Sequence, residues 1–101
     1  MLTNSSTDFA CHVCGANLGD FAPWGEDGQC PTFAICDCCG VEFGYEDYQV
    51  SGVLRYRARW LSEGAKWFNP NAMPVDWSLD MQLLNIPLEL PRGIRSDLGH
   101  I

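Results

Sequence analysis

The apolar positions change period once along the chain, near residue 50. Before that point they come in short bursts broken by glycine, proline and acids; after it they fall on helical faces. Phe9-Ala10 leads into a tight turn, and Thr32-Phe33-Ala34-Ile35-Cys36 has the β-branched and aromatic character of a strand. Val41-Glu42-Phe43-Gly44-Tyr45 alternates apolar with polar or small residues and predicts the partner strand. Between these segments, Asn17-Leu18-Gly19-Asp20, Phe21-Ala22-Pro23-Trp24 and Gly25-Glu26-Asp27-Gly28 carry strong turn chemistry and predict a long loop.

From Ser51, a candidate N-cap, the run through Leu61 sets Val53, Tyr56 and Trp60 beside Leu54, Ala58 and Leu61 in adjacent apolar rows. Arg55, Arg59 and Glu63 share the opposite face at four-residue spacing, and Gly64 stops the helix. A shorter helix is predicted behind Asp76, through Trp77 to Leu84, with Trp77, Met81 and Leu84 turned inward. Beyond Ile86 the tail, residues 87–101, reads as an extended edge strand or docking arm. Trp60, Trp67 and Trp77 read as core, whereas Trp24, among turn formers and acids, reads as exposed. Residues 1–7 are polar and predicted to fray.

The cysteines change this picture from a chain with a weak first half to one with a staple. Cys11-His12-Val13-Cys14-Gly15 and Cys36-Asp37-Cys38-Cys39-Gly40 are two Cys-x-x-Cys-Gly turns with 21 residues between Cys14 and Cys36. Each turn presents two thiols to one ion, and the glycine supplies the positive φ that closes it. Together, Cys11, Cys14, Cys36 and Cys39 form a four-ligand set for a tetrahedral metal, with structural zinc as the expected ion. Structural zinc contributes roughly 10–16 kcal/mol to the folding of finger peptides, enough to organise a half that lacks a large core. The expected fold is therefore α+β: one domain over residues 1–101, with a zinc-ribbon-like half (1–50) packed against two helices (51–101). Cys38 is the spare thiol of its turn and is expected to pack as a small hydrophobe. Cys30 is expected to be buried or semi-exposed and not a ligand. His12 sits too close to Cys11 to share its ion and is expected at the surface; His100, next to the C-terminus, is expected to be solvated.

Charge narrows the function. The formal net charge is −7, and every Lys and Arg lies at or after Arg55. Residues 1–54 carry Asp8, Asp20, Glu26, Asp27, Asp37, Glu42, Glu46 and Asp47 with no base, a charge of −8. Four thiolates around one zinc leave a further −2, so the metal does not neutralise this half. Nucleic-acid binding rests on bases that neutralise phosphates, and this half has none. Trp24, Glu26, Asp27, Glu42, Glu46 and Asp47 are the candidate partner-binding residues, an acidic surface for a basic protein. No apolar run approaches the ~20 residues of a membrane span, and the N-terminus has neither a basic nor an apolar signal region, so the cytoplasm is the expected location.

Enzyme patterns are missing. There is no His-Glu-x-x-His, no phosphate-cradling glycine loop, and no His-x-Glu paired with Pro-Cys-x-x-Cys as in zinc deaminases. A catalytic zinc keeps a coordination position open, and four thiolates close it. The sequence predicts a non-enzymatic protein.

One segment carries a resemblance. Phe33-Ala34-Ile35-Cys36-Asp37-Cys38-Cys39-Gly40-Val41-Glu42-Phe43-Gly44-Tyr45-Glu46-Asp47 resembles the hallmark of small bacterial cysteine-rich proteins of the CPCC type, whose usual form is Ile-Cys-Pro-Cys-Cys-Gly-aromatic-Glu-Phe-Gly-Tyr-Asp-Asp. Tyr56-Arg57-Ala58-Arg59-Trp60, Gly64-Ala65-Lys66-Trp67-Phe68, Pro74-Val75-Asp76-Trp77 and Gln82-Leu83-Leu84-Asn85-Ile86 are similar to the same family. Asp37 stands where proline is usual, and the likeness, over residues 9–86, does not reach the tail. The resemblance implies a metal-binding small protein without an established activity. Proteins of this general type also occur beside polymorphic toxins, which implies by analogy an immunity protein acting on a basic toxin or nuclease. The paired turns also resemble rubredoxin, which implies iron and electron transfer as the alternative, although the helical second half is unlike it. A third reading, a zinc-ribbon accessory to nucleic-acid machinery, requires Arg55, Arg57, Arg59 and Lys66 to reach phosphate.

Overall fold

The two metal-type turns organise the chain, and the helical half closes over them. The computed structural model describes residues 8–97; the expectations for residues 1–7 and His100 fall outside that range. The element order is β1 (Phe9–Ala10), β2 (Asn17–Gly19), α1 (Val50–Ser62), a 3₁₀ turn (Pro70–Ala72) and α2 (Leu79–Leu83), a mixed α+β architecture.

The strand ladder forms around the first turn and not the second. β1 and β2 pair antiparallel, Phe9 opposite Gly19 and Ala10 opposite Asn17, with an irregularity between the two pairs. The strands predicted over 32–36 and 41–45 shrink to one bridge, Ile35 to Glu42, flanked by hydrogen bonds from Phe33 N to Phe43 O (3.0 Å) and Phe43 N to Ala34 O (2.9 Å). Phe33 explains the loss. Its φ of 61° lies in the left-handed region, so the chain turns away before a ladder can extend.

Helix α1 ends as its sequence predicts. Gly64 N donates to Leu61 O (3.1 Å) and Ala65 N to Trp60 O (2.9 Å), the paired bonds of a Schellman ending past the Glu63 C-cap. Its start differs from expectation. Gln49 is the N-cap and makes no side-chain capping bond, and Ser51 lies inside the helix. The tail supplies the missing acceptor: Ser51 N donates to Asp97 Oδ1 (2.9 Å) and the Ser51 hydroxyl donates to Asp97 Oδ2. The tail docks on its own chain. Arg95 N donates to Tyr48 O, Val50 N to Arg95 O, and Gly93 N to Gly28 O, while Ile94 is buried.

Helix α2 is shorter than predicted and differently phased. Ser78, and not Asp76, is its N-cap, accepting from Met81 N at 3.3 Å. Gln82 is the buried residue, whereas Met81 and Leu84 are 63% and 77% exposed. The Gln82 amide is drawn inward by a carbonyl of the first metal-type turn, and Met81, about 100° round the helix, is carried out.

The core surrounds the sulfurs. Val13, Val41, Phe43, Val53, Trp60 and Ile94 cluster with the buried cysteines. Trp67 and Trp77 are half-buried and meet edge to face, ring centroids 5.8 Å apart. Trp24 corrects the sequence expectation: it is 4% exposed and belongs to the core. Among the described residues no helix is long and apolar enough to cross a membrane.

Candidate metal centre

The two turns are built alike, bond for bond. In the first, Gly15 N donates to Cys11 O (2.7 Å) and Cys11 N to Ala16 O (2.8 Å). In the second, Gly40 N donates to Cys36 O (2.9 Å) and Cys36 N to Val41 O (2.9 Å). Gly15 and Gly40 hold φ at 88° and 85°, values that any side chain would strain. The sequence spacing thus becomes two copies of one loop, each with its cysteines at matching positions.

These loops bring Cys11, Cys14, Cys36 and Cys39 together, all four Sγ atoms within 4.8 Å of one another and all four residues buried. Cys11 Sγ lies 3.9 Å from Cys39 Sγ, and Cys14 Sγ 3.8 Å from Cys36 Sγ. A tetrahedron with metal–sulfur bonds of about 2.3 Å has edges of about 3.8 Å. The cluster could therefore hold one metal ion, and zinc and iron fit this geometry alike. Without a cation the thiols of Cys14, Cys36 and Cys39 are driven apart in their hold on a proton. Hydrogen bonds from Cys11, Cys14 and Cys39 pull Cys36 below the ordinary thiol range. Cys14 and Cys39 are pushed up, each first by its hydrogen bond with Cys11. A divalent ion would relieve that conflict by binding all four as thiolates.

The carbonyls of both turns also need donors. The helical half provides them. Arg57 of α1 donates from Nη2 to His12 O (2.8 Å) and from Nε to Val13 O (2.7 Å). Gln82 of α2 donates from Nε2 to Cys14 O (3.0 Å), and its Oε1 accepts from Trp77 Nε1 (2.7 Å). At the second turn, Asn69 N and Phe68 N donate to Asp37 O and Cys38 O, each at 2.8 Å, and the Tyr56 hydroxyl donates to Cys39 O (3.1 Å). With Gly15 and Gly40, every carbonyl from Cys11 to Cys14 and from Cys36 to Cys39 has a donor. Burial pushes the Tyr56 phenol up to about 12, which keeps it a donor.

The remaining cysteines stand outside the four. Cys38 is fully buried, and Gln82 Nε2 also reaches its Sγ at 3.3 Å. Cys30 is exposed.

The acidic candidates divide. Asp47 is completely buried: Oδ2 accepts from His12 Nε2 (2.6 Å) and Trp24 Nε1 (3.0 Å), and Oδ1 from Gly44 N (2.6 Å). Asp47 and Trp24 are therefore interior partners of each other and not a surface for another protein. His12, expected at the surface, is also fully buried, because Asp47 satisfies its ring nitrogen. Glu42 and Glu46 are half-buried, and Glu46 Oε1 accepts from Glu42 N (2.9 Å). Glu26 and Asp27 are exposed. The His12–Asp47–Trp24 network spans 35 and 23 residues of sequence, and no local pattern announces it.

Fold and site define a small α+β protein with a buried four-cysteine cluster able to hold a metal. No family model and no solved structure matches the chain. Two proteins of Bacillus subtilis (strain 168) are similar to it. The uncharacterised protein YozI is 33% identical over 83 residues, an alignment covering 67% of this chain and 69% of YozI. The uncharacterised protein YoaQ is 31% identical over 82 residues, covering 67% of this chain and 70% of YoaQ. The chain belongs to the same family as these two uncharacterised Bacillus subtilis proteins.

Proposed function

We propose that this chain is a non-enzymatic protein-interaction module whose fold is locked by one structural zinc. The observation that carries the reading is the closed set of four buried sulfurs, with the carbonyls of His12, Val13, Cys14, Asp37, Cys38 and Cys39 tied to the helical half. A metal enclosed in this way offers no open coordination position to a substrate. Its work is to hold two loops and two helices in one arrangement.

The partner is a basic protein, and by the resemblance above a toxin or nuclease domain that this chain would inhibit. Support comes from charge: the N-terminal 54 residues carry −8, and the exposed Glu26 and Asp27 lie within them. An acidic surface speeds capture of a basic target, and an inhibitor of a nuclease benefits from that speed. Asp47 and Trp24 contribute by shaping the loop that presents Glu26 and Asp27, since both are interior. The test is isolation of the untagged protein from its own cells at low salt, followed by native mass spectrometry. One zinc per chain with a stoichiometric basic companion supports the reading, and reversal of Glu26 and Asp27 to lysine should then weaken the complex. One iron, or tight salt-sensitive binding of nucleic acid by the chain alone, would sink it.

A further inference from the structure

The turn 45–48 is seated directly on α1, and Gly52 lets it sit there, because a Cβ at that position would overlap the Glu46 carbonyl oxygen. Asp47 anchors the turn from the interior, while Tyr45 and Tyr48 face outward, 66% and 50% exposed. Beside them Arg55 and Arg59, one helical turn apart on α1, help to line a surface hollow of about 380 Å³. Tyr56 and Glu46 also line it.

The two cations of this hollow are unclaimed. The chain has 13 acids against six Lys and Arg, yet among the described residues the one close pairing of a basic side chain with a carboxylate is His12 with Asp47. Arg55 and Arg59 are both exposed and have no such partner there. The Glu46 carboxylate accepts from Glu42 N instead, and Asp97, whose charge feels Arg55, accepts from Ser51. With Glu46 counted, the lining carries a net +1 in a chain of −7. Arg59 is also held in place. Its guanidinium carbon lies 4.8 Å from the centre of the Tyr56 ring, and the Tyr56 hydroxyl donates to Cys39 O of the second metal-type turn. A cation fixed on an anchored ring loses little freedom when an anion arrives.

We infer that this hollow binds a nucleoside monophosphate, with Arg55 and Arg59 on the phosphate and an exposed tyrosine ring stacked on the base. Guanidinium forks match phosphate oxygens, and an aromatic face accepts any base. The volume is near the lower end of small-ligand sites and suits one nucleotide unit. A longer strand would carry its further phosphates over a chain of net −7 and gain nothing by its length. The inference stands apart from the basic-partner reading, which rests on Glu26 and Asp27.

The test uses the intact metal-loaded chain at low salt with adenosine and uridine 5′-monophosphates as probes. Adenosine alone, ribose 5-phosphate and inorganic phosphate are the partial probes, and a single-stranded oligoadenylate is the long one. Binding is followed by calorimetry and by the Tyr45, Tyr48 and Arg59 side-chain resonances. Arg55→Gln/Arg59→Gln is compared with a charge-matched control outside the hollow, Lys66→Gln/Arg92→Gln, whose residues are also exposed. The monophosphates should shift those resonances and bind more tightly than any partial probe. The hollow variant should lose at least about tenfold in affinity while the control loses little. Ribose 5-phosphate or phosphate binding as well as the nucleotides would overturn the inference, and so would equal losses in the two variants. Tighter binding per site by the oligoadenylate would overturn it as well, and so would no binding of either monophosphate.

Discussion

Replacing Asp47 by alanine is the sharpest test of how the interior is built. The carboxylate accepts three hydrogen bonds, from His12 Nε2, Trp24 Nε1 and Gly44 N, and both side-chain donors are buried with it. Alanine leaves all three donors without an acceptor. Each stranded buried donor costs about 1–3 kcal/mol, and because the three share one carboxylate their losses do not simply add. The expected destabilisation is about 3–6 kcal/mol, against a total of about 5–15 kcal/mol for a domain of ordinary stability. Asp47→Asn keeps one acceptor oxygen but turns an amide N–H₂ toward donors, so it should cost about 1–3 kcal/mol. Glu26→Ala, at an exposed site, should stay within about 0.5 kcal/mol of the parent. Urea unfolding of the metal-loaded protein, followed by tryptophan fluorescence, measures all three. If Asp47→Ala unfolds within about 1 kcal/mol of the parent, the buried network is not a structural element and the burial argument fails.

Gly15→Ala should destabilise by about 2–4 kcal/mol, because its φ is 88° and a Cβ there would overlap the Gln82 carbonyl oxygen. Gly19→Ala, also at positive φ but with nothing nearby, should cost only about 1–2 kcal/mol, and equal losses in denaturation would refute the close-approach argument. Arg57→Met strands the His12 and Val13 carbonyls, so stability should fall by about 2–4 kcal/mol and a chelator should strip the metal faster; an unchanged stripping rate would separate Arg57 from the metal site. Two pH limbs follow from the shifted groups. Tyr56 is raised to about 12 from an unfolded value near 10, so its contribution is complete below pH 10 and is lost as pH rises through about 12; Tyr56→Phe should abolish that alkaline loss in a stability–pH profile. The Asp97 carboxyl is lowered, first by its bond from the Ser51 hydroxyl, so its contribution holds above the ordinary carboxyl value and fades as pH falls through the depressed one. Faster exchange of the Ser51 amide in Asp97→Ala at neutral pH would show the cap, and unchanged exchange would remove it.

What the sequence revealed and what it hid follow from the range of the interactions. The paired Cys-x-x-Cys-Gly turns were legible because ligand spacing and a positive-φ glycine are local properties. The long helix was legible by its 3.6-residue period, and so was its end at Gly64. The cap was not, since Asp97 lies 46 residues from Ser51. His12, Trp24 and Asp47 each looked like surface residues alone, because a histidine, an indole N–H and a carboxylate become buriable only in each other's company. Helix α2 misled for a related reason: the hydrophobic pattern favoured Met81 and Leu84, whereas the carbonyl of Cys14 required the amide of Gln82. Phe33 at positive φ broke a strand that its composition favoured.

The central claim is that one ion bound by four cysteines holds the two halves together. The direct measurement is native mass spectrometry of the untagged protein, paired with near-ultraviolet circular dichroism before and after a strong chelator. The account predicts one zinc per chain and, on its removal, collapse of the aromatic signal from Trp24 and Trp60, which pack in the core that surrounds the sulfurs. A metal-free chain with an intact aromatic spectrum would contradict it.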